Sequence, residues 1–225
     1  GPAAPACADD GGLEKQQKAF GYTYEDLRML ITPLARDGVD PVGAMGNDIP
    51  LAVLSDRPQM LYDYFQELFA QVTNPPIDAL REAIVTSSME LLGSEGNLLE
   101  PRPEDCRRIR LRTPFIGDDM LAALRGLDRP GFRSVTLSIL CNPAGGGDGM
   151  EKALGRLFAQ AEKAVREGAN ILILSDRGVD GGHAPIPALL AVSGLHQYLV
   201  RKCLRTRVSL VLESGEPREV HHFAC

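Results

Sequence analysis

The chain has 225 residues, 44% hydrophobic and 24% charged, the balance of one large globular domain, or one and a half small ones, with a proper core. Its formal net charge is −6, with no basic block or stripe, Trp is absent and aromatics are 5%, which argues against a nucleic-acid partner. No apolar run approaches the ~18 residues of a membrane span and no basic-then-apolar export signal opens the chain, so a soluble, cytoplasmic protein is expected.

Residues 1–12, GPAAPACADDGG, are small and Pro/Gly-rich without periodicity, and read as a disordered lead or, at Gly1-Pro2, a cloning scar. From Leu13 the text becomes structured. Thr23 and Asp26 have capping spacing ahead of Leu27, Leu30 and Ile31, and Pro33 is expected to close that short helix. Pro58 opens the next helix, with Leu61, Phe65, Leu68 and Phe69 on one face, until VTNPP (72–76) stops it. Two prolines there predict a stiff non-helical strap, after which Asp78 caps a third helix running from about Ala79 to Leu92. Residues 93–130 are loop-rich, with one short helix at 118–126. This mainly helical part spans 13–130.

Residues 131–225 have a different pattern. SVTLSIL (134–140), NILILS (170–175) and VSLVLES (208–214) are short apolar runs of the kind buried on both faces of a parallel sheet. Between the first two, Met150, Leu154, Leu157, Phe158, Ala161 and Val165 make one helical face ended by Gly168. PIPALLAVSGLHQYLVRK supplies a second helix between the later pair. The order β-α-β-α-β predicts right-handed crossovers and an α/β fold with helices flanking a parallel sheet.

Four stretches could carry chemistry. CNPAGGGDGME joins a strand to a helix as phosphate cradles do, but lacks both the dinucleotide-binding and P-loop patterns. Asp148 and Glu151 have capping-box spacing there, so it reads as a structural turn. ILILSDRG puts Ser175, Asp176 and Arg177 at the carboxyl end of a buried strand, where α/β proteins keep their sites, with Asp180 and His183 close behind. The same Ser-Asp-Arg triplet recurs in LAVLSDRP (51–58) and favours a turn-and-cap role. The segment LVLESGEPREVHHFAC gathers Glu213, Ser214, Glu216, Glu219, His221, His222 and Cys225. A helix from near Pro217 would align Arg218, His221, His222 and Cys225, yet zinc needs a defined shell that this arrangement does not by itself supply. The fourth stretch is the VTNPP strap. Five cysteines at wide, odd spacings lack any C-x-x-C pair and read as reduced structural thiols, with no metal site.

The segments MGNDIPLAVLSDRPQMLYDYFQELFAQVTNPPIDALRE, LLGSEGNLL, ILILSDRG, IPALLAVSGLHQYLVRKCLRT and VLESGEPREVHHFA resemble, in the same order, the central domain of the glutamate synthase large subunit. The resemblance runs from about Leu13 to the last residues. It implies a degenerate, partial β/α-barrel-like domain with no catalytic residue of its own. In that family an amidotransferase domain releases ammonia from glutamine, and an FMN-binding (β/α)8 domain uses it to convert 2-oxoglutarate to glutamate, with an iron–sulfur cluster relaying electrons. The resemblance therefore implies partners in those neighbouring domains, and through them a reductase subunit or ferredoxin. It implies a plastid location if the source is a photosynthetic eukaryote. No cofactor is expected in this stretch itself, because neither a Cys-Gly-x-Gly glutaminase start, an FMN-domain glycine-rich segment nor an iron–sulfur cysteine cluster is present. The chain resembles a part of the enzyme, expected to be inactive alone.

Two site expectations follow. Ammonia must pass between two active sites shielded from water, so Thr73, Asn74, Pro75 and Pro76 are expected to wall a tunnel or an interdomain contact: the first two can hydrogen-bond a neutral amine and the prolines hold position. Ser175, Asp176, Arg177, Glu213, Ser214, Glu216, His221 and His222 are expected at a domain interface. The opposing expectation is a ligand-binding partial barrel whose strand ends hold FMN, phosphate or a small anion.

Overall fold

The computed structural model describes residues 10–39, 50–66 and 78–225. In chain order the helices and strands are α1 (Asp10–Ala19), α2 (Thr32–Asp37), α3 (Ala79–Val85), β1 (Glu90–Leu92), β2 (Ile109–Leu111), α4 (Asp118–Arg125), β3 (Asp128–Arg129), β4 (Phe132–Ser138), β5 (Leu140–Cys141), α5 (Gly146–Arg166), β6 (Ile171–Ser175), β7 (Ala184–Pro185), α6 (Ala188–Arg201), β8 (Ser209–Glu213) and α7 (Val220–Ala224). They form two compact units. The first comprises Ala83–Ile186 with Ala191–Ser214, and the second the described part of Ala8–Glu82 with Pro187–Leu190 and Gly215–Cys225.

The first unit is built on a four-stranded sheet of order β3-β4-β6-β8, in which β4, β6 and β8 are parallel and β3 pairs antiparallel with β4. In the middle strand Ile171, Leu172, Ile173 and Leu174 are all 0% exposed, which explains the unbroken apolar run: both faces are covered. Ile171 and Ile173 pack with Leu92, Leu111, Leu121 and Leu124, and strand alternation turns Leu172 and Leu174 to the other face. Each such burial stabilises the fold by about 1.5–3 kcal/mol. The α5 crossover buries Ala153, Leu157, Ala161, Ala164 and Val165, and ends where Gly168 takes φ +95° so that Ala169 can return its N–H to the Ala164 carbonyl at 2.9 Å. The expected α/β order of parallel strands and crossover helices is therefore present.

Local expectations met several corrections. Helix α5 starts at Gly146, so Asp148 lies inside its first turn and not at the cap. The third helix stops at Val85, well short of Leu92, which instead sits in β1 opposite Ile109. The intervening serines explain the stop: Ser87 Oγ accepts from the Met89 N–H at 3.1 Å and Ser88 Oγ donates to the Arg112 carbonyl, so side chains compete for groups a helix would use. The capping of α3 by Asp78 is as expected, with its Oδ1 accepting from the Leu80 and Arg81 N–H groups.

In the second unit Thr23 and Asp26 exchange reciprocal capping bonds at 2.9 and 3.1 Å. Pro33 does not end the helix they start. A π-helical turn over Asp26–Ile31 widens the backbone, α2 follows with Pro33 in its first turn, and Gly38 closes it at φ +63°. After Pro58 the described chain is a 3-10 helix over Leu61–Phe65, while Leu68 and Phe69 lie outside the described residues. The C-terminal peptide packs with this N-terminal segment: the Tyr22 hydroxyl donates to the Gly215 carbonyl at 2.9 Å. A Cβ on Gly215 would stand 2.9 Å from the Phe20 ring, so glycine is required for that approach.

Candidate functional site

The parallel register that aligns β6 with β8 makes Ser175 and Glu213 direct partners at the carboxyl ends of both strands. The Ser175 hydroxyl donates to Glu213 Oε2, Arg177 Nε donates to Glu213 Oε1, and Arg125, from the last turn of α4, reaches Glu213 Oε2 as well. Asp118 stands 3.7 Å from the Arg177 guanidinium. Burial works to raise the Glu213 pKa, but the hydrogen bonds from Ser175 and Arg177 and the two guanidinium charges outweigh it and hold the carboxyl below its ordinary value. The same pairing raises Arg177. A carboxylate with both oxygens engaged by three donors is an internal tie between strands and helix, with little left for an incoming ligand.

The two Ser-Asp-Arg triplets adopt the same turn. Ser175 Oγ accepts from the Arg177 N–H at 3.3 Å, and Ser55 Oγ accepts from the Arg57 N–H at 3.1 Å. Among the described residues, the first adds a carboxylate, Glu213. Asp176 is 5% exposed and its N–H donates to the Glu213 carbonyl at 3.2 Å; Ser214 is half-buried beside it in sequence. Asp180 and His183 close a local loop through a 2.8 Å contact. The glycine-rich stretch is a turn in which Asn142 Oδ1 accepts from the Ala144 N–H at 2.9 Å.

Glu216, His221 and His222 belong to the second unit. Glu216 accepts the Ala188 N–H at the start of α6, at 2.5 Å. The centre of this group is Arg218, whose side chain is 1% exposed. Its guanidinium donates to the Phe20 carbonyl at 2.8 Å and pairs with Asp26 at 3.2 Å, it contacts Met60 Sδ, and it lies 3.9 Å over the Tyr22 ring. His222 stacks on Tyr62 at 4.2 Å between centroids, and its Nδ1 accepts the Arg218 N–H at 3.1 Å, which leaves the ring proton on Nε2, towards Glu219. Burial first, then the charge of Arg218, pushes the His222 pKa down to about 4. The ring is neutral in the fold, and its contact with Glu219 is a hydrogen bond between a neutral donor and a carboxyl group. The His221 Nε2 is 2.9 Å from the Tyr62 carbonyl.

Arg125 escaped sequence reading, as did the distant partners of Arg218, which the sequence placed only on a face with His221, His222 and Cys225. Arg125 is separated by 88 positions from Glu213 and Arg218 by 192 from Asp26, and no local pattern links such pairs. Thr73, Asn74, Pro75 and Pro76 lie outside the described residues.

Neither an iron–sulfur cluster nor a flavin phosphate fits the strand-end residues. An iron–sulfur cluster takes cysteine thiolates, but among the described residues no group of three or more His, Cys, Asp or Glu side chains is arranged to hold a metal. A flavin phosphate at the strand ends would face the Glu213 carboxylate and two arginines already engaged by it, one of them also near Asp118.

The family described as the glutamate synthase central domain matches residues 15–225. The chain is 53% identical over 212 residues to the glutamate synthase [NADPH] large chain of Bacillus subtilis, covering 94% of this chain and 14% of that protein. It is 45% identical to the glutamate synthase [NADH] of Schizosaccharomyces pombe, covering 93% and 10%. It is 44% identical to the ferredoxin-dependent glutamate synthase 2 of a Synechocystis strain, covering 94% and 14%. The chain thus spans a small part of the length of the curated relatives it matches.

Proposed function

The chain belongs to the glutamate synthase central domain family, and from that premise we propose that it serves as a catalytically silent connector between an amidotransferase domain and an FMN-binding synthase domain. It orders its neighbours and walls part of the path that carries ammonia from glutamine to the site where 2-oxoglutarate becomes glutamate. FMN and the iron–sulfur cluster belong to the neighbouring domain, and a reductase subunit or ferredoxin meets the enzyme there. The compartment is the cytoplasm, or the plastid in a photosynthetic eukaryote.

The observation that carries this reading is the closure of Glu213 by Ser175, Arg177 and Arg125. At the strand ends, where related architectures place reactive groups, this chain has a tie closed by its own side chains. Exposed apolar side chains in the first unit support a covered surface in a longer protein: Leu98 is 67% and Leu99 92% exposed. Arg177 is the most exposed of the three residues that engage Glu213 and is the one we assign to a domain contact. Buried Ser175, Asp176, His221 and His222 act there by fixing the backbone, while Glu213, Ser214 and Glu216 join segments at its edge.

Thr73 and Asn74 remain our choice for the tunnel wall, with Pro75 and Pro76 as its stiffeners. The test is a complete glutamate synthase carrying Thr73→Ala and Asn74→Ala. Glutamine-dependent glutamate synthesis should fall severalfold while ammonium-dependent synthesis and glutamine hydrolysis persist and free ammonia appears in solution. Equal loss of all three activities, or no change in any, speaks against the tunnel role.

A further inference from the structure

The first unit contains a cleft of about 1130 Å³ whose lining includes Arg102, Arg129, Arg133, Arg166, Arg205 and Arg207. Residues 129–133, 168–170 and 205–207 of its wall lie at or just before the starts of β4, β6 and β8, so it lies at the amino-terminal end of the sheet, opposite the Glu213 tie. Six arginines and no lysine face two carboxylates, Glu100 and Asp105, in a chain whose overall charge is −6. Such a local concentration of one sign is a cost to the fold, since like charges repel, and it focuses an attractive field on anions.

Two of the charges are held in place by neutral groups. Arg133 donates to the Glu167 carbonyl at 2.7 Å, and Arg205 donates to the Val208 carbonyl at 2.7 Å and to His196 Nδ1 at 3.0 Å. Arg102, Arg129 and Arg207 form no ion pair with any described residue, and only Arg166 is matched, by Glu162 at 2.8 Å. Asp105 spends one carboxylate oxygen on the Arg102 backbone N–H. Asn170 ties the wall together, donating to the Gly131 carbonyl at 2.7 Å and accepting from the Arg133 N–H at 3.0 Å. Two guanidiniums, Arg133 and Arg205, are thus oriented by neutral groups, and five of the six outnumber the two carboxylates of the wall without forming an ion pair with a described residue.

We propose that this cleft binds a small organic polyphosphate of nucleoside-diphosphate size. Guanidinium forks match phosphate oxygens two at a time. One phosphate monoester carries only about −1.5 to −2, less than the surplus here, so at least two phosphate groups are required. Phe132, Val165 and Val200 give the organic body an apolar wall. The concavity suits a small-molecule site, and the volume lies just above the usual range of roughly 300–1,000 Å³ for such sites, whereas an acidic protein would be met by a broad face of about 800 Å². The site is independent of the connector role and would make the domain a receiver of a metabolic signal.

The test is calorimetry and thermal unfolding of the 225-residue chain at about 0.15 M salt, with ADP, pyrophosphate, citrate, adenosine and an acidic hexapeptide as probes. ADP and pyrophosphate should bind saturably and raise the melting temperature with the logarithm of concentration, and adenosine should do neither. R129Q/R207Q, at two exposed side chains, should keep the unliganded melting temperature and weaken ADP binding at least about tenfold. R102Q, on a separate segment, gives an independent reading if the double variant misfolds. No response to ADP or pyrophosphate at millimolar concentration overturns the proposal. So do citrate or the peptide binding as tightly as ADP, or arginine variants that bind as the parent does.

Discussion

Ser175 and Glu213 face each other in register across the last rung of two parallel strands, and the serine hydroxyl donates to the glutamate carboxylate. Where a barrel-like domain would present open chemistry, this one closes β6, β8 and, through Arg125, α4 onto one another. The tie is electrostatic and its consequences are measurable.

Glu213→Gln keeps the side-chain volume but removes the counter-charge of Arg125 and Arg177. We expect a loss of about 2 kcal/mol in unfolding free energy, read by denaturant titration. The folded carboxyl titrates below the unfolded value of about 4.3, so its contribution is complete above that pH and is lost as pH falls through the depressed folded pKa. The acid limb of the parent's stability curve should therefore be shallower in the variant. Parallel curves displaced by a constant would show that Glu213 stays unlinked to protonation.

His222 gives a second pH window with a different position. Its pKa is about 4 in the fold and about 6.5 unfolded; the unfolded chain thus binds a proton that the folded one refuses, and stability declines as pH drops from 6.5 towards 4. The full decline amounts to about 3 kcal/mol. Replacing it by Phe, which can still stack on Tyr62, should flatten that window, and melting curves between pH 7 and 4 check the slope.

Arg218 is buried with its charge answered by Asp26 and by the Tyr22 face. Asp26→Ala strands the guanidinium and also removes a cap on Thr23, so a cost of about 3–5 kcal/mol is expected. Arg218→Lys cannot reproduce the contacts to Phe20 and Asp26 together and should cost nearly as much, which denaturant unfolding of the two variants compares directly.

Two substitutions should stabilise. Cys203 follows α6 with φ +55°, a left-handed position that glycine adopts freely, and its N–H closes on the Val200 carbonyl. Cys203→Gly should gain about 1 kcal/mol, or roughly 2–4 °C in melting temperature. The buried Ser134 hydroxyl has no hydrogen-bond partner among the described residues, so Ser134→Ala should be neutral or gain up to about 1 kcal/mol.

Elements governed by local periodicity were legible in the sequence: the apolar run 171–174, the α5 face and its Gly168 stop, the Asp78 cap. Failures came where a side chain or distant segment outbid local preference. Ser87 and Ser88 ended α3 early by competing for backbone groups, and a π turn let the chain pass Pro33. Sequence reading grouped Glu213 with His221 and His222, but a few residues after Glu213 the chain leaves one unit for the other, and the partners of Arg218 lie near the start of the chain. Such pairings are products of topology, which spacing along the chain does not encode.

We propose that this domain shapes and positions while making no bonds itself. The most direct test supplies the purified 225-residue chain with glutamine, 2-oxoglutarate, FMN and a chemical reductant, and follows glutamate and ammonia. Neither should form above the protein-free control. Product whose rate scales with the concentration of the chain contradicts the account.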